Sequence, residues 1–476
     1  MPTKLQRYDK YKPSGLDWLG DIPEGWEVKR IKELGLLQNG VSKGAEYFGS
    51  GDPFVSYGNI YNDTLQLEKI TTFAMSTPED QKLYSVKEKD IFFTRTSETV
   101  EEIGFVSTCL KTIPKSTFSG FVIRFRPYGN VLVKEFSKYY FQATIHRNFF
   151  VKEMNIVTRA SLNQGVLSNL PVLIFDIQTQ TAIATYLDTQ TAKIDQEIEL
   201  LTAKVSKYKQ LKQTLISDTV TGKVIPACNP RDKSRPLNKG YISDSDKKMP
   251  LGEGSSGSLG VMKPSGVEWI GDIPEGWEVR RLKEVSNLQT GNSIANKDLY
   301  LDKSNSIPYI ATKDINIETQ EIAYQNDIYI PINDLSFRVA KKNTILLCIE
   351  GGSAGRKIAI TDQEVCYVNK LVGISSKTNK LFHRYNYFFV QSNIFKYQFF
   401  YYINGLIGGV SVNTLKNQLI LVPPFQNQIQ IAKYLDEQTG KIDQIITTIN
   451  SKITKLREFR KVLINDVVTG RVKIEN

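Results

Sequence analysis

Residues 13–33 read PSGLDWLGDIPEGWEVKRIKE, and residues 264–284 read PSGVEWIGDIPEGWEVRRLKE, so the chain contains the same opening motif twice. The two copies differ at five positions, all of them conservatively. The stretches that follow, roughly 35–165 and 286–405, scarcely resemble each other. Two halves with a common beginning and different middles indicate a molecule that binds the same partner twice and recognises two different targets.

A second repeated segment closes each half, because IATYLDTQTAKIDQ (183–196) matches IAKYLDEQTGKIDQ (431–444). In both copies apolar residues recur every three, four or seven positions over about four heptads, a pattern that predicts a long helix with a coiled-coil seam. The seam positions are Leu187, Ile194, Ile198, Leu201, Val205, Tyr208 and Leu215 in the first helix, and Leu435, Ile442, Ile446, Ile449, Ile453, Leu456 and Leu463 in the second.

The first long helix is predicted over about 178–219, and Gly222 and Gly470 stand where a glycine would end each helix. A lone helix with such a seam leaves it in water, so we expect the two helices to pack antiparallel, with pseudo-twofold symmetry. The alternative is that each helix packs on its own globule. Lys212 and Arg460 occupy the same seam position in both helices and either select the register or extend their charge into water.

The middles combine short β-like runs with aromatic helical segments, which predicts an α+β globule in each half. The β-like runs are DIFFTR (90–95), GFVIRFRP (120–127), NTILLCIE (343–350) and RKIAI (356–360), and the helical candidates are 135–150 and 381–402. The expected fold is therefore α+β, with two globular domains joined by two long antiparallel helices. The predicted boundaries are domain 1–177, helix 178–224, flexible linker 225–262, domain 263–425 and helix 426–476.

The composition favours an anionic partner. The chain has 476 residues with 61 Lys and Arg against 50 Asp and Glu, a formal net charge of +11 and a pI of about 9.1. Such an excess is typical of nucleic-acid binding, although many soluble proteins are mildly basic. Four cysteines without a CxxC pair, and only two histidines, argue against a zinc site or a disulfide framework. Without a signal-like or transmembrane run, a cytoplasmic protein is expected.

The four tryptophans of the chain, Trp18, Trp26, Trp269 and Trp277, all lie in the repeated opening motif. Two indoles eight residues apart, with an Ile–Pro pair between them, predict a fixed structural lid against the globule. A partner-binding role for this motif is the alternative.

Catalytic motifs are missing from the sequence. VPPF (422–425) lacks the leading Asn or Asp of a methyltransferase motif, and GGSAGRK (351–357) lacks the spacing of a phosphate-binding loop. We expect the chain to be non-catalytic, with no cofactor of its own.

Base readout requires Arg, Lys, Asn, Gln and small or hydroxyl side chains in loops, and both middles carry such residues at parallel positions. For a single one of them, a solvated loop residue is the competing interpretation. The candidates in the first half are Gln38, Asn39, Ser42, Lys43, Tyr57, Asn59, Thr94, Arg95, Thr96, Ser97 and Arg159. Those in the second half are Gln289, Thr290, Asn292, Ser293, Thr312, Lys313, Asp314, Glu350, Ser353, Arg356, Lys357 and Asn404.

With its two SGxxWxGxIPxxW openings, its variable middles and its two Leu-Asp…Lys-Ile-Asp helices, the chain resembles the specificity subunits of type I restriction–modification systems. The likeness covers both halves but not the linker. It implies two target recognition domains, each reading one half of a bipartite, asymmetric site in double-stranded DNA. It also implies two methyltransferase subunits docked on the helices, joined by restriction or translocase subunits. S-adenosylmethionine, ATP and Mg would belong to those partners.

Two other functions remain open from the sequence. The chain could be a coiled-coil scaffold that binds two copies of a protein without touching DNA, or a self-sufficient restriction enzyme or methyltransferase. Salt-dependent duplex binding separates the scaffold from the DNA reader. An activity assay on the isolated chain addresses the enzyme.

Overall fold

The computed structural model describes residues 6–95, 104–146, 149–150, 162–224, 226, 261–377, 380–403 and 408–474. These residues form two compact units: unit 1 comprises Met1–Thr202 with Asn450–Asn476, and unit 2 comprises Ala203–Ile449. The sequence-based boundaries separate the long helices from the globular domains. Contacts between residues group one segment of each helix with each globule, because helix and globule share a core, and the sequence-based boundaries stay a prediction.

Unit 1 is built from short strands, small helices and the beginning of a very long helix. Its strands are β1 (Tyr11–Pro13), β2 (Asp21–Pro23), β3 (Glu27–Arg30), β4 (Gly35–Asn39), β5 (Phe48–Val55), β6 (Thr64–Leu65), β7 (Phe73–Ala74), β8 (Ile91–Thr94), β9 (Val106–Cys109), β10 (Thr117–Phe118), β11 (Val122–Pro127) and β12 (Pro171–Ile174). Its helices are α1 (Ile31–Leu34), α2 (Pro78–Leu83), α3 (Lys134–Tyr140), α4 (Gln164–Ser168) and the first part of α5 (Ile177–Val220).

Unit 2 has the same kind of composition. Its strands are β13 (Met262–Pro264), β14 (Asp272–Pro274), β15 (Glu278–Arg281), β16 (Ser286–Thr290), β17 (Ser306–Ile310), β18 (Tyr329–Pro331), β19 (Val339–Ala340), β20 (Ile345–Cys348), β21 (Ile358–Ile360), β22 (Val365–Tyr367), β23 (Leu371–Ser376) and β24 (Leu419–Val422). Its helices are α6 (Leu282–Val285), α7 (His383–Gln391), α8 (Asn393–Tyr401), α9 (Val412–Asn417) and the first part of α10 (Phe425–Val468). The last part of α5 also belongs to unit 2, and the last part of α10 belongs to unit 1.

The two units share one strand arrangement despite their different middle sequences. In unit 1 the main sheet has the order β4-β11-β8-β9-β6, and in unit 2 it has the order β16-β23-β20-β21. Beside it, β5 pairs with β7 and β10, just as β17 pairs with β18 and β22. The β-like runs lie on these elements, the helical candidate 381–402 covers α7 and α8, and the candidate 135–150 overlaps α3, which ends at Tyr140. The α+β prediction is confirmed.

The first long helix has the predicted extent, and the two long helices pack antiparallel within each unit. In unit 1 the start of α5 (Ile183, Leu187) and the end of α10 (Val467, Val468) belong to one hydrophobic core. In unit 2 the end of α5 and the start of α10 do the same through Val220, Leu435 and their neighbours. All predicted seam positions are buried or half-buried. The predicted pairing of the two helices is therefore confirmed. The alternative, in which each helix packs only on its own globule, is wrong.

The basic seam residues form equivalent ion pairs. Arg460 Nε lies 3.0 Å from Asp195 in unit 1, and Lys212 Nζ lies 2.7 Å from Asp443 in unit 2. Both aspartates come from the repeated KIDQ segment. Since each partner stands on the other helix, the pairs favour the antiparallel register, as expected for a register-selecting residue.

The repeated opening motif packs on the end of a long helix. In unit 1 Trp26 stacks on Phe175 at 3.8 Å between ring centroids, and Tyr11 donates its hydroxyl hydrogen to Gly470 O at 3.0 Å. Trp277 of unit 2 is likewise almost fully buried. The structural interpretation of these two indoles is thus supported, whereas the first indole of each pair is only half-buried or, at Trp269, exposed.

A buried glutamine ties each long helix to its globule. Gln180 Oε1 accepts from Val133 N at 2.9 Å, and Nε2 donates to Phe175 O at 2.9 Å. Gln428 repeats the arrangement at the start of α10, accepting from Phe382 N at 2.7 Å. Because both side chains are fully buried and hydrogen-bonded at both ends, they fix where the helix leaves the globule.

In the described part of the chain, no helix is both long and apolar enough to cross a membrane, and no group of three potential metal ligands occurs. The predicted linker 225–262 lies outside the described residues except for positions 226, 261 and 262.

We predict that alanine at Gly470 or Gly222 destabilises its unit by at least about 1–2 kcal/mol. Both glycines adopt positive φ, at +76° and +77°. An added Cβ would also lie 2.5 Å from Pro23 Cδ at Gly470 and 2.6 Å from Pro274 Cδ at Gly222. Urea unfolding measures the effect. Gly440→Ala is the matched control, since nothing lies within 4 Å of its added Cβ, and it should be neutral or stabilise α10. Equal losses in all three variants would contradict the prediction.

A second prediction concerns acid stability. Burial lowers the pKa of His146 from 6.5 to about 4 in the folded unit, so the unfolded chain binds a proton first as the pH falls. Unfolding free energy should therefore decrease between pH 6.5 and pH 4, by roughly 3 kcal/mol from this group. His146→Gln should remove this part of the pH dependence in urea titrations. His383→Gln, at the half-buried second histidine, is the control with the smaller effect. An unchanged slope in His146→Gln would rule the explanation out.

Candidate nucleic-acid interface

Each unit brings three loops together where the strands of its main sheet end. We call residues 40–43, 95 and 119–121 loop cluster 1. In this cluster Val41 N donates to Phe118 O at 2.8 Å, Arg95 N donates to Phe121 O at 3.0 Å, and Leu162 N donates to Arg95 O at 2.7 Å. These backbone bonds hold the loops in one fixed arrangement.

Loop cluster 2, residues 291–293, 349–350 and 368–370, repeats those backbone bonds in unit 2. Asn292 N donates to Tyr367 O at 2.9 Å, Ile349 N donates to Lys370 O at 3.0 Å, and Val410 N donates to Ile349 O at 3.0 Å. The bonds make Asn292, Ile349 and Lys370 the counterparts of Val41, Arg95 and Phe121. The two clusters therefore share a backbone and differ in their side chains.

A glycine makes the close approach of the loops possible in both clusters. A Cβ added to Gly40 would collide with Phe118 O, and one added to Gly291 would collide with Tyr367 O. Only glycine fits where the backbone passes this near to a carbonyl oxygen. These two glycines are what allows the turn after β4 and the turn after β16 to fold against the neighbouring strand.

Loop cluster 1 exposes two predicted contacts and one residue that the sequence analysis missed. Ser42 and Lys43 are exposed, and Lys43 Nζ lies 2.7 Å from Asp80 Oδ2. Arg95 is half-buried and donates from Nη1 to Gly120 O at 3.4 Å. The missed residue is Phe121, which is 61% exposed at the tip of its turn. Its place in an ordinary β-like run gave no signal in the sequence.

In loop cluster 2, Ser293 and Glu350 are exposed as candidates should be, and Lys370 is an exposed residue that the sequence analysis missed. Asn292 is engaged by the protein itself, because its Oδ1 accepts from Arg338 N at 2.9 Å and its Nδ2 donates to Ser336 O at 3.2 Å. A separate loop is thus held against this cluster.

Several of the predicted DNA-contact residues form hydrogen bonds within the protein instead. Asn59 Oδ1 accepts from Ser56 N at 2.9 Å, and Asp314 Oδ2 accepts from Ala311 N at 2.8 Å, so both cap a short 3₁₀ turn. Thr94 is fully buried in β8, and its hydroxyl oxygen accepts from Phe105 N at 2.9 Å. A base edge cannot reach Thr94 in this arrangement, and its role is to support the sheet.

Gln38 lies on β4 beside a buried cation. Arg124 donates from Nη2 to Gln38 Oε1 and from Nη1 to Ser85 O, the latter at 2.6 Å. Burial lowers the pKa of Arg124 to about 10, with the charge of Arg126 as a further cause, and the guanidinium remains charged at neutral pH. The contact fixes the orientation of the Gln38 amide, because its Oε1 accepts from the buried guanidinium.

The remaining candidates are spread over the loops of the two units. Asn39, Tyr57, Thr290, Thr312, Ser353 and Lys357 are half-buried, and Gln289, Lys313 and Arg356 are exposed. Lys357 Nζ donates to Thr312 O at 2.6 Å, which joins two of these segments. Thr96, Ser97, Arg159 and Asn404 lie outside the described residues.

The buried thiols show no sign of activation. Burial raises the pKa of Cys109 and Cys366 to about 12, and it raises the pKa of Cys348 as well. A nucleophilic cysteine requires a lowered pKa and access to solvent, and these three side chains have neither.

The chain matches the family model of the type I restriction modification DNA specificity domain twice, over residues 23–203 and 274–455. It is 23% identical to the putative type I restriction enzyme MjaX specificity subunit of Methanocaldococcus jannaschii, over 96% of both chains. It is 20% identical to the MjaIX specificity subunit of the same organism, also over 96% of both chains. A solved chain from work on the assembly and conformational transition of the type I R-M system shares the fold, with a TM-score of 0.67 and 13% identity over 95% of this chain and 99% of that one.

Proposed function

The chain belongs to the family of type I restriction modification DNA specificity domains and is a non-catalytic DNA-recognition subunit, and we propose that it reads a bipartite, asymmetric DNA site. Unit 1 would read one half-site and unit 2 the other. Loop clusters 1 and 2 would carry the base contacts, together with the exposed candidates around them. The cytoplasm, where DNA is available in a bacterium or archaeon, is the proposed location.

The observation that carries this proposal is the pairing of one backbone with two sets of side chains. The equivalent backbone bonds show that Arg95 of cluster 1 corresponds to Ile349 of cluster 2, and that Phe121 corresponds to Lys370. A lysine donates hydrogen bonds to guanine, whereas a phenylalanine can contact only apolar groups such as the thymine methyl. Two units with the same loop backbone and such different side chains would prefer different base sequences. The complete target of the two units would therefore not be palindromic.

The repeated helices support a proposal about the partners. In both helices the same residues are exposed at equivalent positions, namely the pairs Gln178 and Gln426, Lys193 and Lys441, and Gln196 and Gln444. One protein could therefore bind in the same manner to either copy. We propose that two methyltransferase subunits dock there and supply S-adenosylmethionine, and that restriction or translocase subunits with ATP and Mg join them.

The alternative functions are separated from this one by binding and activity. A coiled-coil scaffold would not bind duplex DNA in a salt-dependent manner, because that dependence comes from released counterions at phosphate contacts. A self-sufficient enzyme would modify or cut DNA as an isolated chain. The family match favours the recognition subunit.

The test is to sequence methylated DNA from cells that carry this chain and its methyltransferase subunit. We expect one asymmetric motif made of two specified half-sites and an unspecified gap. The assembled complex should also lose affinity for a duplex carrying that motif as a power of the salt concentration. A control strain that lacks this chain should show no such motif. Methylation without a bipartite motif, or duplex binding that is independent of salt, would overturn the proposal.

A second prediction concerns the gap. Removing residues 199–205 and 447–453 takes one matched heptad from α5 and α10, about 10 Å from each at 1.5 Å per residue, and preserves the seam. We expect the methylated motif to keep both half-sites and to change its gap. Removing only 199–205 is the control, and it should abolish methylation because the seams no longer match. The same gap in the double deletion would show that the helices do not set it.

A further inference from the structure

We propose that Arg338, which the sequence analysis did not select, reads a guanine in the half-site of unit 2. The inference rests on the proposed function and adds a specificity-determining residue to it. Arg338 directly precedes β19 and is exposed to solvent. Its backbone N–H contacts Asn292 in the turn after β16, which is part of loop cluster 2, and its guanidinium contacts Thr290, the last residue of β16.

The guanidinium is held from one side only. Arg338 Nη1 donates to Thr290 O at 2.6 Å and lies 3.2 Å from Thr290 Oγ1. No hydrogen bond from Nε or Nη2 to an acceptor, and no salt bridge of Arg338, occurs among the described residues. One edge of the planar group is therefore anchored, and the Nε–Nη2 edge is left with two parallel donors directed away from Thr290.

Two parallel donors are what the major-groove edge of guanine accepts. Its O6 and N7 lie side by side, and arginine pairs with both at once, which is the commonest specific contact between proteins and DNA. A cation with an unpaired donor edge also needs no carboxylate to be displaced before it binds. The chemistry therefore favours guanine over the other three bases.

The loop that carries Arg338 is anchored independently of the guanidinium. Phe337 packs edge-on against Tyr300 at 5.6 Å between ring centroids. Ser336 O accepts from Asn292 Nδ2 at 3.2 Å, and Arg338 N donates to Asn292 Oδ1 at 2.9 Å. Since these contacts survive a change of the side chain at 338, the side chain is not required to hold the loop. A rigid support lowers the entropy cost of positioning the arginine on a base.

Unit 1 has a different residue at this position. Counting back five residues from the positive-φ residue of the following turn leads from Asn343 to Arg338 and from Lys89 to Tyr84. The Tyr84 ring packs edge-on against Phe118 at 6.2 Å, inside unit 1. At this position, which is described in both units, the donor edge of unit 2 is replaced by a packed tyrosine in unit 1, so the inferred guanine belongs to the half-site of unit 2.

The experiment uses the complex of this chain with its methyltransferase subunits and a duplex library that is randomised across the wild-type motif. Methylated molecules are sequenced for the wild type, Arg338→Ala, Arg338→Lys and the control Lys342→Ala, an exposed lysine on the turn after β19. We expect the wild type and the control to require guanine at one position. Both Arg338 variants should lose roughly 5- to 150-fold discrimination at that position, with the other half-site unchanged. Arg338→Lys keeps the charge and loses the planar fork, so its relaxation separates base readout from phosphate attraction.

Other outcomes overturn the inference. If Arg338→Lys retains the wild-type motif while Arg338→Ala lowers methylation of all sequences equally, the residue contacts phosphate. If neither variant changes the requirement for guanine, or if no guanine is required in the affected half-site, Arg338 does not read this base. A wild-type complex without any bipartite motif would instead refute the proposed function, and thermal melting of each variant identifies a loss caused by unfolding.

Discussion

The structure depends on the burial of two apolar helix seams, because neither long helix can remain folded with its seam in water. Each unit therefore contains a segment of both helices, taken from distant parts of the sequence. Leu187 and Val468 share one core, and Val220 and Leu435 share the other. Each unit thus has one core, formed by a globular domain, the long helix that follows it in the sequence and the long helix of the other half. Neither globular domain has a complete core without a segment of the other half's helix.

The features that could be predicted from the sequence are those with a repeat or a period. The seam spacing predicted the first long helix within about one residue, since Ile177–Val220 was expected at about 178–219. The ion pairs of Lys212 and Arg460 could be anticipated only as seam interruptions, because their partners on the opposite helix depend on the antiparallel register. The common strand order of the two middles was hidden, since buried apolar residues can be exchanged freely while they fill the same space.

The candidate interface was predicted less well, for physical reasons. A loop residue of suitable chemistry can be used internally, and Asn59 and Asp314 serve as caps for their own backbone. Conversely, Phe121 and Arg338 stand next to β-strands, where side chains usually alternate between core and solvent, and only the folded loops bring them beside the predicted turns. Residue type identifies which side chains could read a base, and tertiary structure decides which of them are presented.

One feature of unit 1 concerns the order in which a gene can encode the two halves of this chain. Gln6 and Lys473 form an antiparallel bridge, and the segment before β1 thus runs beside the segment after α10. A short covalent connection there, combined with a break between positions 226 and 261, would preserve every strand pairing and both helices described above. The fold is therefore compatible with circular permutation, and the order in which a gene encodes the two halves is not determined by their packing.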